Sequence, residues 1–255
     1  MITDPVILLS GGKGSRMTTF QKDKNEPPKA LILINSIPLI LHSIKNFIDY
    51  DYRNFIFALG YKGEMIRDYF TKKKKIFGYN FNLLTSFKEF NAKSQIDDKH
   101  INLLLVNTGV NSNKLQRIYK IISKLNVNNF VATYADGVGN LNLSKMRNKH
   151  INNNYLCTCA SFTPHSQYGH FIYSNKKVID IIEKPLLNNE VNIGYFFFKA
   201  SSMNYIKKNL NKDLEIGLLK KLAHNSEIQT YSHKGFWKSI DTLKDAFELS
   251  KILKK

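Results

Sequence analysis

Three things are scarce in this chain of 255 residues: cysteine, long apolar runs and negative charge. The only cysteines are Cys157 and Cys159, two apart in a strand-like run. They share one face, so they read as free, mostly buried thiols in a reducing compartment rather than as a disulfide or a metal site. No apolar run approaches the roughly 20 residues that span a bilayer, and Met1-Ile2-Thr3-Asp4-Pro5 lacks the basic and apolar regions of a signal peptide. A cytoplasmic protein with no membrane partner is expected. Acidic residues number 20 against 38 Lys and Arg, a net charge of +18. That balance favours polyanions, nucleic acid first among them. The charge is nevertheless spread along the chain with abundant Lys, Asn and Ile, and its one dense run, Lys72 to Lys75, reads as a solvated face. No Ser-His-Asp or Cys-His order with a supporting context is present, and His165 and His170 lack metal-ligand spacing.

At 43% hydrophobic composition the chain can bury one sizeable core, and a single domain over residues 1–255 is expected. Its first thirty residues carry the sharpest pattern. The apolar run Val6-Ile7-Leu8-Leu9 opens into Ser10-Gly11-Gly12-Lys13-Gly14-Ser15-Arg16, with Pro28-Lys29 beyond. Glycines there let successive backbone N–H groups point at an anion, as a phosphate loop requires, although a glycine-rich surface turn has the same composition. The dinucleotide fingerprint is excluded because Met17 stands where its third Gly or Ala belongs, and the Gly-Lys-Ser/Thr ending of a P-loop is missing.

Downstream, strands are expected over 54–59, 101–106, 130–134, 155–162 and 193–198, and helices over 64–70, 114–125, 144–152, 201–209, 215–223 and 242–253. A hairpin is expected across Ser174-Asn175. Residues 71–100 have no clean period and read as a flap or interface excursion. The β/α alternation predicts a Rossmann-like mixed, mostly parallel α/β sheet flanked by helices, with a small β-rich embellishment. In such a sheet ligands gather at the carboxyl ends of the strands. Asp136, after the strand ending at Tyr134, and Asp241, after the segment around Trp237, are the acidic candidates there. Each has a plain alternative: a turn aspartate before Gly137, and an N-cap for a helix starting at Thr242. Brought together, they would form a hard oxygen site for Mg²⁺.

Leu59-Gly60-Tyr61-Lys62-Gly63, Thr108-Gly109, Tyr134-Ala135-Asp136-Gly137-Val138, Glu183-Lys184-Pro185, Asn192-Ile193-Gly194 and Gly235-Phe236-Trp237 with Asp241-Thr242-Leu243 follow the glycine loop in order. This series resembles the sugar-phosphate nucleotidyltransferases nearly end to end, and within them glucose-1-phosphate cytidylyltransferase. The resemblance implies a CTP-dependent transfer in which an acceptor phosphate oxygen attacks the α-phosphorus and pyrophosphate leaves. It implies that Leu9, Ser10, Gly11, Gly12, Lys13, Gly14 and Ser15 hold the nucleotide, and that Arg16 and Lys29 neutralise its phosphates as the catalytic cations. By the same carry-over Asp136 and Asp241 bind Mg²⁺, Thr108 and Ala135 lie near the nucleoside, and Lys184 grips the acceptor phosphate. Dimers or larger homo-oligomers are implied as well.

Departures fall on the acceptor side. The Asn-Gly-Gly that leaves room for a hexose is here Asn192-Ile193-Gly194, Gln167-Tyr168-Gly169 stands for Arg-Phe-Gly, and a glutamate that faces the sugar is replaced by Gly217. Ile193 is expected to project where a hexose would lie. The loop from Gly109 to Leu115 also lacks the family's paired glycines. A similar branch of the family, associated with capsular O-methyl phosphoramidate synthesis, has CTP:phosphoglutamine cytidylyltransferase activity and yields CDP-L-glutamine. The changed pocket suits such a non-sugar phosphate; glucose-1-phosphate or an alditol phosphate is the alternative acceptor. A basic nucleic-acid-binding protein on a degenerate fold is the rival from another class, and it predicts strong salt dependence and indifference to loss of Asp136.

Overall fold

The computed structural model describes residues 2–12, 26–94 and 99–254. The chain opens with strand β1 (Val6–Leu9), and after a 3₁₀ turn at Lys29–Leu31 come β2 (Leu33–Ile34) and β3 (Ile37–Pro38), a two-stranded ribbon. Helix α1 (Leu39–Asp49) starts at Pro38, whose fixed φ suits a helix start. It buries Leu41, Ile44 and Ile48 at helical spacing and stops where Asp51 turns left-handed at φ 63°. Strand β4 (Asn54–Leu59) and helix α2 (Gly63–Thr71) follow.

Next come β5 (Lys75–Ile76), β6 (Tyr79–Leu84), α3 (Phe87–Lys93), β7 (Ile101–Asn107), α4 (Lys114–Ile122), β8 (Asn129–Tyr134), β9 (Gly137–Gly139), α5 (Leu143–Asn152) and β10 (Cys157–Phe162). A hairpin of β11 (His170–Ser174) and β12 (Lys177–Ile182) precedes β13 (Val191–Lys199) and α6 (Met203–Lys208). A π-helical stretch at Leu214–Leu219, α7 (Lys220–His224), β14 (Ile228–His233), β15 (Trp237–Ser239) and α8 (Leu243–Ile252) complete the described chain.

Nine strands form one sheet in the order β14-β10-β13-β8-β1-β4-β7-β6-β5. It is mostly parallel, with β13 antiparallel to both β8 and β10, as the β/α alternation requires for its first half. Alternate side chains leave opposite faces. Val6 and Leu8 enter the core cluster that holds Phe47, Phe57 and Phe197, whereas Ile7 enters the one that holds Ile118, Phe130 and Phe198. Burying each such side chain contributes roughly 1.5–3 kcal/mol.

One expectation is corrected. In the stretch 71–100, the described residues 71–94 are not a flap: β6 extends the main sheet by pairing parallel with β7, and α3 packs behind it. Tyr79 and Asn80, which pair with the two-residue edge strand β5, are exposed, so β6 carries too little apolar pattern to be read as a strand. Lys72 to Lys75 are exposed, as a solvated face demands. Both cysteines are buried and free, and burial first of all pushes the Cys159 thiol up to about 12. No described helix is long and apolar enough to cross a membrane.

Candidate active site

A cavity of about 640 Å³ opens where β1 and β8 end and the antiparallel β13 begins, and it is reached by Leu9, Gly12, Arg117, Asp136 and Asp241. Of the glycine loop, Ser10 is buried with its hydroxyl donating to Ala58 O (3.3 Å), and the Gly11 carbonyl accepts from Tyr61 N (3.1 Å). Lys13, Gly14, Ser15 and Arg16 lie outside the described residues.

Arg117 is the residue that the sequence did not single out. It sits on α4, is only 4% exposed, and still lines the cavity. Its Nη1 donates to Leu59 O (3.1 Å) and Thr108 Oγ1 (2.6 Å), and its Nη2 donates to Gly11 O (2.9 Å) and Val110 O (3.3 Å). All four acceptors are neutral. Burial draws its pKa below the ordinary arginine value, though a guanidinium stays charged. A Cβ at Gly11 or Gly60 would overlap the guanidinium, which is why those two positions are glycine. A buried cation bonded to carbonyls and a hydroxyl leaves its charge for an anion arriving in the cavity.

Thr108 therefore has a different place from the one expected. It is 1% exposed, its hydroxyl donates to Leu59 O (2.7 Å), and it supports Arg117 from behind without lining the cavity. Ala135 is likewise in the core, its carbonyl accepting from Ser43 Oγ at 2.9 Å.

Asp136 and Asp241, by contrast, do converge. The short strands β9 and β15 pair Gly137 with Ser239 and Gly139 with Trp237, which carries the two carboxylates to one edge of the cavity. Lys29 Nζ bridges them, 2.7 Å from Asp136 Oδ2 and 3.0 Å from Asp241 Oδ1. The N-cap alternative for Asp241 is set aside, because Thr242 caps α8 in a capping box with Asp245. Asp241 accepts from Ser239 Oγ (3.0 Å) instead. No group of three or more His, Cys, Asp or Glu gathers among the described residues. Two carboxylates around one cation-sized point nevertheless fit Mg²⁺, which takes one or two protein carboxylates and fills its octahedron with phosphate oxygens and water. Lys29 marks that point with its own ammonium.

A second charged group lines the same cavity. Lys114 Nζ is 3.0 Å from Asp213 Oδ2 and 2.7 Å from Glu215 Oε2, and the Tyr134 hydroxyl donates to Glu215. Burial alone would lower the Lys114 pKa, but the bonds to Glu215 and Asp213 outweigh it and hold the ammonium above its usual range. Burial, and then Glu215, push the Tyr134 hydroxyl far up. The carboxylate in this helix is thus Glu215. Position 217, expected to be where a sugar-facing glutamate is lost, points elsewhere: a Cβ on Gly217 would meet Lys212 Cβ at 2.8 Å.

On the acceptor side, Gly194 has φ 81°, and a Cβ there would overlap the Tyr134 ring. Asn192 Oδ1 accepts from Gly194 N (2.8 Å) at the cavity edge. Ile193 is part of the cavity wall, but its side chain does not stand free in the cavity. It is 2% exposed with its side chain in the core, because the alternation of β13 turns it inward. Lys184 and Gln167 are exposed and outside the cavity lining; Lys184, left-handed at φ 49°, lies 3.9 Å from Glu183 at the foot of the β11–β12 hairpin.

Comparison with known proteins agrees with this architecture. The chain matches the nucleotidyl transferase family over residues 5–255. It is 31% identical to a Bacillus subtilis protein described as a probable glucose-1-phosphate cytidylyltransferase, covering 96% of this chain and 94% of that one. It is 26% identical to glucose-1-phosphate cytidylyltransferase of Salmonella typhi, covering 98% and 95%. Among solved structures, UDP-glucose pyrophosphorylase complexed with UDP-glucose superposes with a TM-score of 0.68 at 16% identity, over 100% of this chain and 99% of that one. With the sheet, the paired aspartates and a family match that spans nearly the whole sequence, the chain belongs to the nucleotidyl transferase family.

Proposed function

We propose that this nucleotidyltransferase transfers CMP from CTP to a small phosphorylated acceptor, with L-glutamine phosphate as the preferred acceptor and CDP-L-glutamine and pyrophosphate as products. One observation carries the transfer: Asp136 and Asp241 meet at Lys29 on the rim of a cavity whose floor holds the buried Arg117. The acceptor phosphate oxygen forms a bond to the α-phosphorus as the bond to the β-phosphate oxygen breaks. Both reacting oxygens belong to phosphates that are ionised at pH 7, so the chain needs no general base and acts by position and charge. The backbone of Ser10 to Gly12 cradles the nucleotide, Arg117 faces its negative charge, and Lys29 neutralises a phosphate. Arg16 belongs to the same proposal by position in the sequence. Mg²⁺ held by Asp136 and Asp241 would supply further neutralisation of the triphosphate.

Cytidine as the base is supported by the names of the relatives. Those same names favour a second reading, glucose-1-phosphate as acceptor. Glutamine phosphate is preferred because the sequence departs from the hexose-binding Asn-Gly-Gly at Asn192-Ile193-Gly194, whose Asn192 and Ile193 line the cavity. Lys184 and Gln167, outside the cavity lining, are left out of the proposed contacts. The proposal also includes a cytoplasmic homo-oligomer that uses neither nucleic acid nor membrane as a partner. The deciding experiment is pyrophosphate release with Mg-CTP, L-glutamine phosphate and glucose-1-phosphate at matched concentrations, with the other nucleoside triphosphates as controls. Turnover confined to glucose-1-phosphate would install the second reading in place of the first.

A further inference from the structure

Glu215, Asp213, Lys114 and Tyr134 form a mixed-charge group in the cavity wall that the transfer chemistry does not use. Three elements distant in sequence build it, the start of α4, the end of β8 and the turn into the π-helical stretch. The Asp213 carboxylate also accepts from Lys114 N at 3.2 Å, so the backbone of one element is tied to the side chain of another. The Lys114 ammonium lies 5.4 Å from the centre of the Tyr134 ring. That ring packs against Gly194, which puts the group beside the Asn192–Gly194 segment. The side chains of Lys114, Asp213 and Glu215 keep 32%, 42% and 37% of their surface accessible, so each can be reached from the cavity.

This arrangement discriminates between classes of acceptor. A neutral hydroxyl entering the group must compete with charge-assisted bonds, which are about twice as strong as neutral ones, and leaves a charge poorly paired. A zwitterion meets no such cost, since its ammonium can take the carboxylates while its carboxylate takes the lysine, and the number of ion pairs is conserved. We infer that Glu215 and Asp213 receive the α-ammonium, and Lys114 the α-carboxylate, of a phosphorylated amino acid whose phosphate lies toward Lys29. The inference rests on the proposed reading of an amino-acid phosphate as acceptor, and it assigns the residues that read the amino-acid end.

The test is steady-state pyrophosphate release with Mg-CTP and an acceptor series: L-glutamine phosphate, its analogues lacking the α-amino or the α-carboxyl group, O-phospho-L-serine and glucose-1-phosphate. Wild type is compared with Glu215→Gln and Lys114→Met. Removing either charged group from the acceptor raises its KM on the order of 10- to 100-fold and leaves the KM for CTP unchanged. Glu215→Gln raises the KM for the complete acceptor similarly but adds no further loss with the deaminated analogue, and Lys114→Met pairs in the same way with the decarboxylated one. Equal turnover of the deaminated and complete acceptors overturns the inference. So does a Glu215→Gln effect confined to the KM for CTP or to thermal stability, which would mark the group as a tie between helices. Turnover of O-phospho-L-serine without L-glutamine phosphate, sensitive to both substitutions, keeps the inference and overturns glutamine as the acceptor. The analogue series on wild type decides the matter even if a variant fails to fold.

Discussion

The cavity is lined by two charged groups built on different plans. Around Lys29 and Arg117, cations face backbone carbonyls, a hydroxyl and two aspartates, drawn from the 3₁₀ turn, helix α4, the ends of β1, β4 and β7 and the β9–β15 ladder. Around Lys114, an ammonium is neutralised within its own wall by Asp213 and Glu215, on elements outside the sheet. Both lysines are paired with two carboxylates, but the first group also holds Arg117, bonded to neutral acceptors with its charge open to a phosphate, whereas the second would exchange partners only with a ligand that brings both signs. Affinity for a common nucleotide and choice of acceptor can therefore change independently.

The sharpest way to break that division is Asp136→Asn. It should lower turnover by on the order of 10²- to 10³-fold or more in pyrophosphate release, with folding preserved by far-UV circular dichroism. Near-normal rates would remove Asp136 from the centre. Arg117→Met comes next. It takes one donor each from the carbonyls of Leu59, Gly11 and Val110, of which Leu59 keeps Thr108 and Gly11 keeps Tyr61, and empties a buried site, so stability should fall by roughly 3 kcal/mol in urea and the KM for CTP should rise about 100-fold. A shift confined to the KM for the acceptor would erase the distinction between the two groups.

Ile193→Ala sharpens it from the other side. Because Ile193 is a core residue, the substitution should cost about 2–4 kcal/mol without gaining turnover of hexose phosphates; a gain would return Ile193 to the acceptor space. The smallest effect is one of pH. Buried His150, with its Nδ1 2.9 Å from Thr158 Oγ1, is held neutral, and burial followed by the nearby Lys199 lowers its pKa from 6.5 to about 4. The unfolded chain then binds a proton that the native chain refuses. Stability falls as pH drops below 6.5 and levels off below about 4, by roughly 1–3 kcal/mol in all. Thermal melts from pH 7 to 4.5 should show this, and His150→Gln should flatten the slope; an unchanged slope would take His150 out of the pH dependence.

The fold was legible because buried parallel strands read as apolar runs and their helices carry period 3.6. β6 escaped notice since its polar, exposed half breaks the alternation. Asp136 and Asp241 could be nominated but not paired: Gly137–Gly139 and Trp237–Ser239 are too short to show a period, and it is their ladder that joins the carboxylates. Arg117 sits among Leu115, Ile118 and Ile121 on an amphipathic helix, where an arginine normally faces solvent. Only the close approach required at Gly11 and Gly60 hinted at something bulky beneath. The reading of Gly217 rests on likeness to the family, whereas facing is set by backbone winding, and the π-helical stretch that puts Glu215 on the cavity departs from the ordinary 3.6 spacing.

The β9–β15 ladder also sets an order of events during synthesis. Asp136 follows a strand in the middle of the sheet, but its partner carboxylate arrives only with Asp241, after the hairpin, β13 and β14 have been made. A nascent chain that has folded β1 to β8 on the ribosome already has Arg117 in its sequence, yet it lacks the second of the two carboxylates proposed to hold a divalent ion. Transfer competence is thus acquired late and all at once, when Trp237–Ser239 docks along Gly137–Gly139.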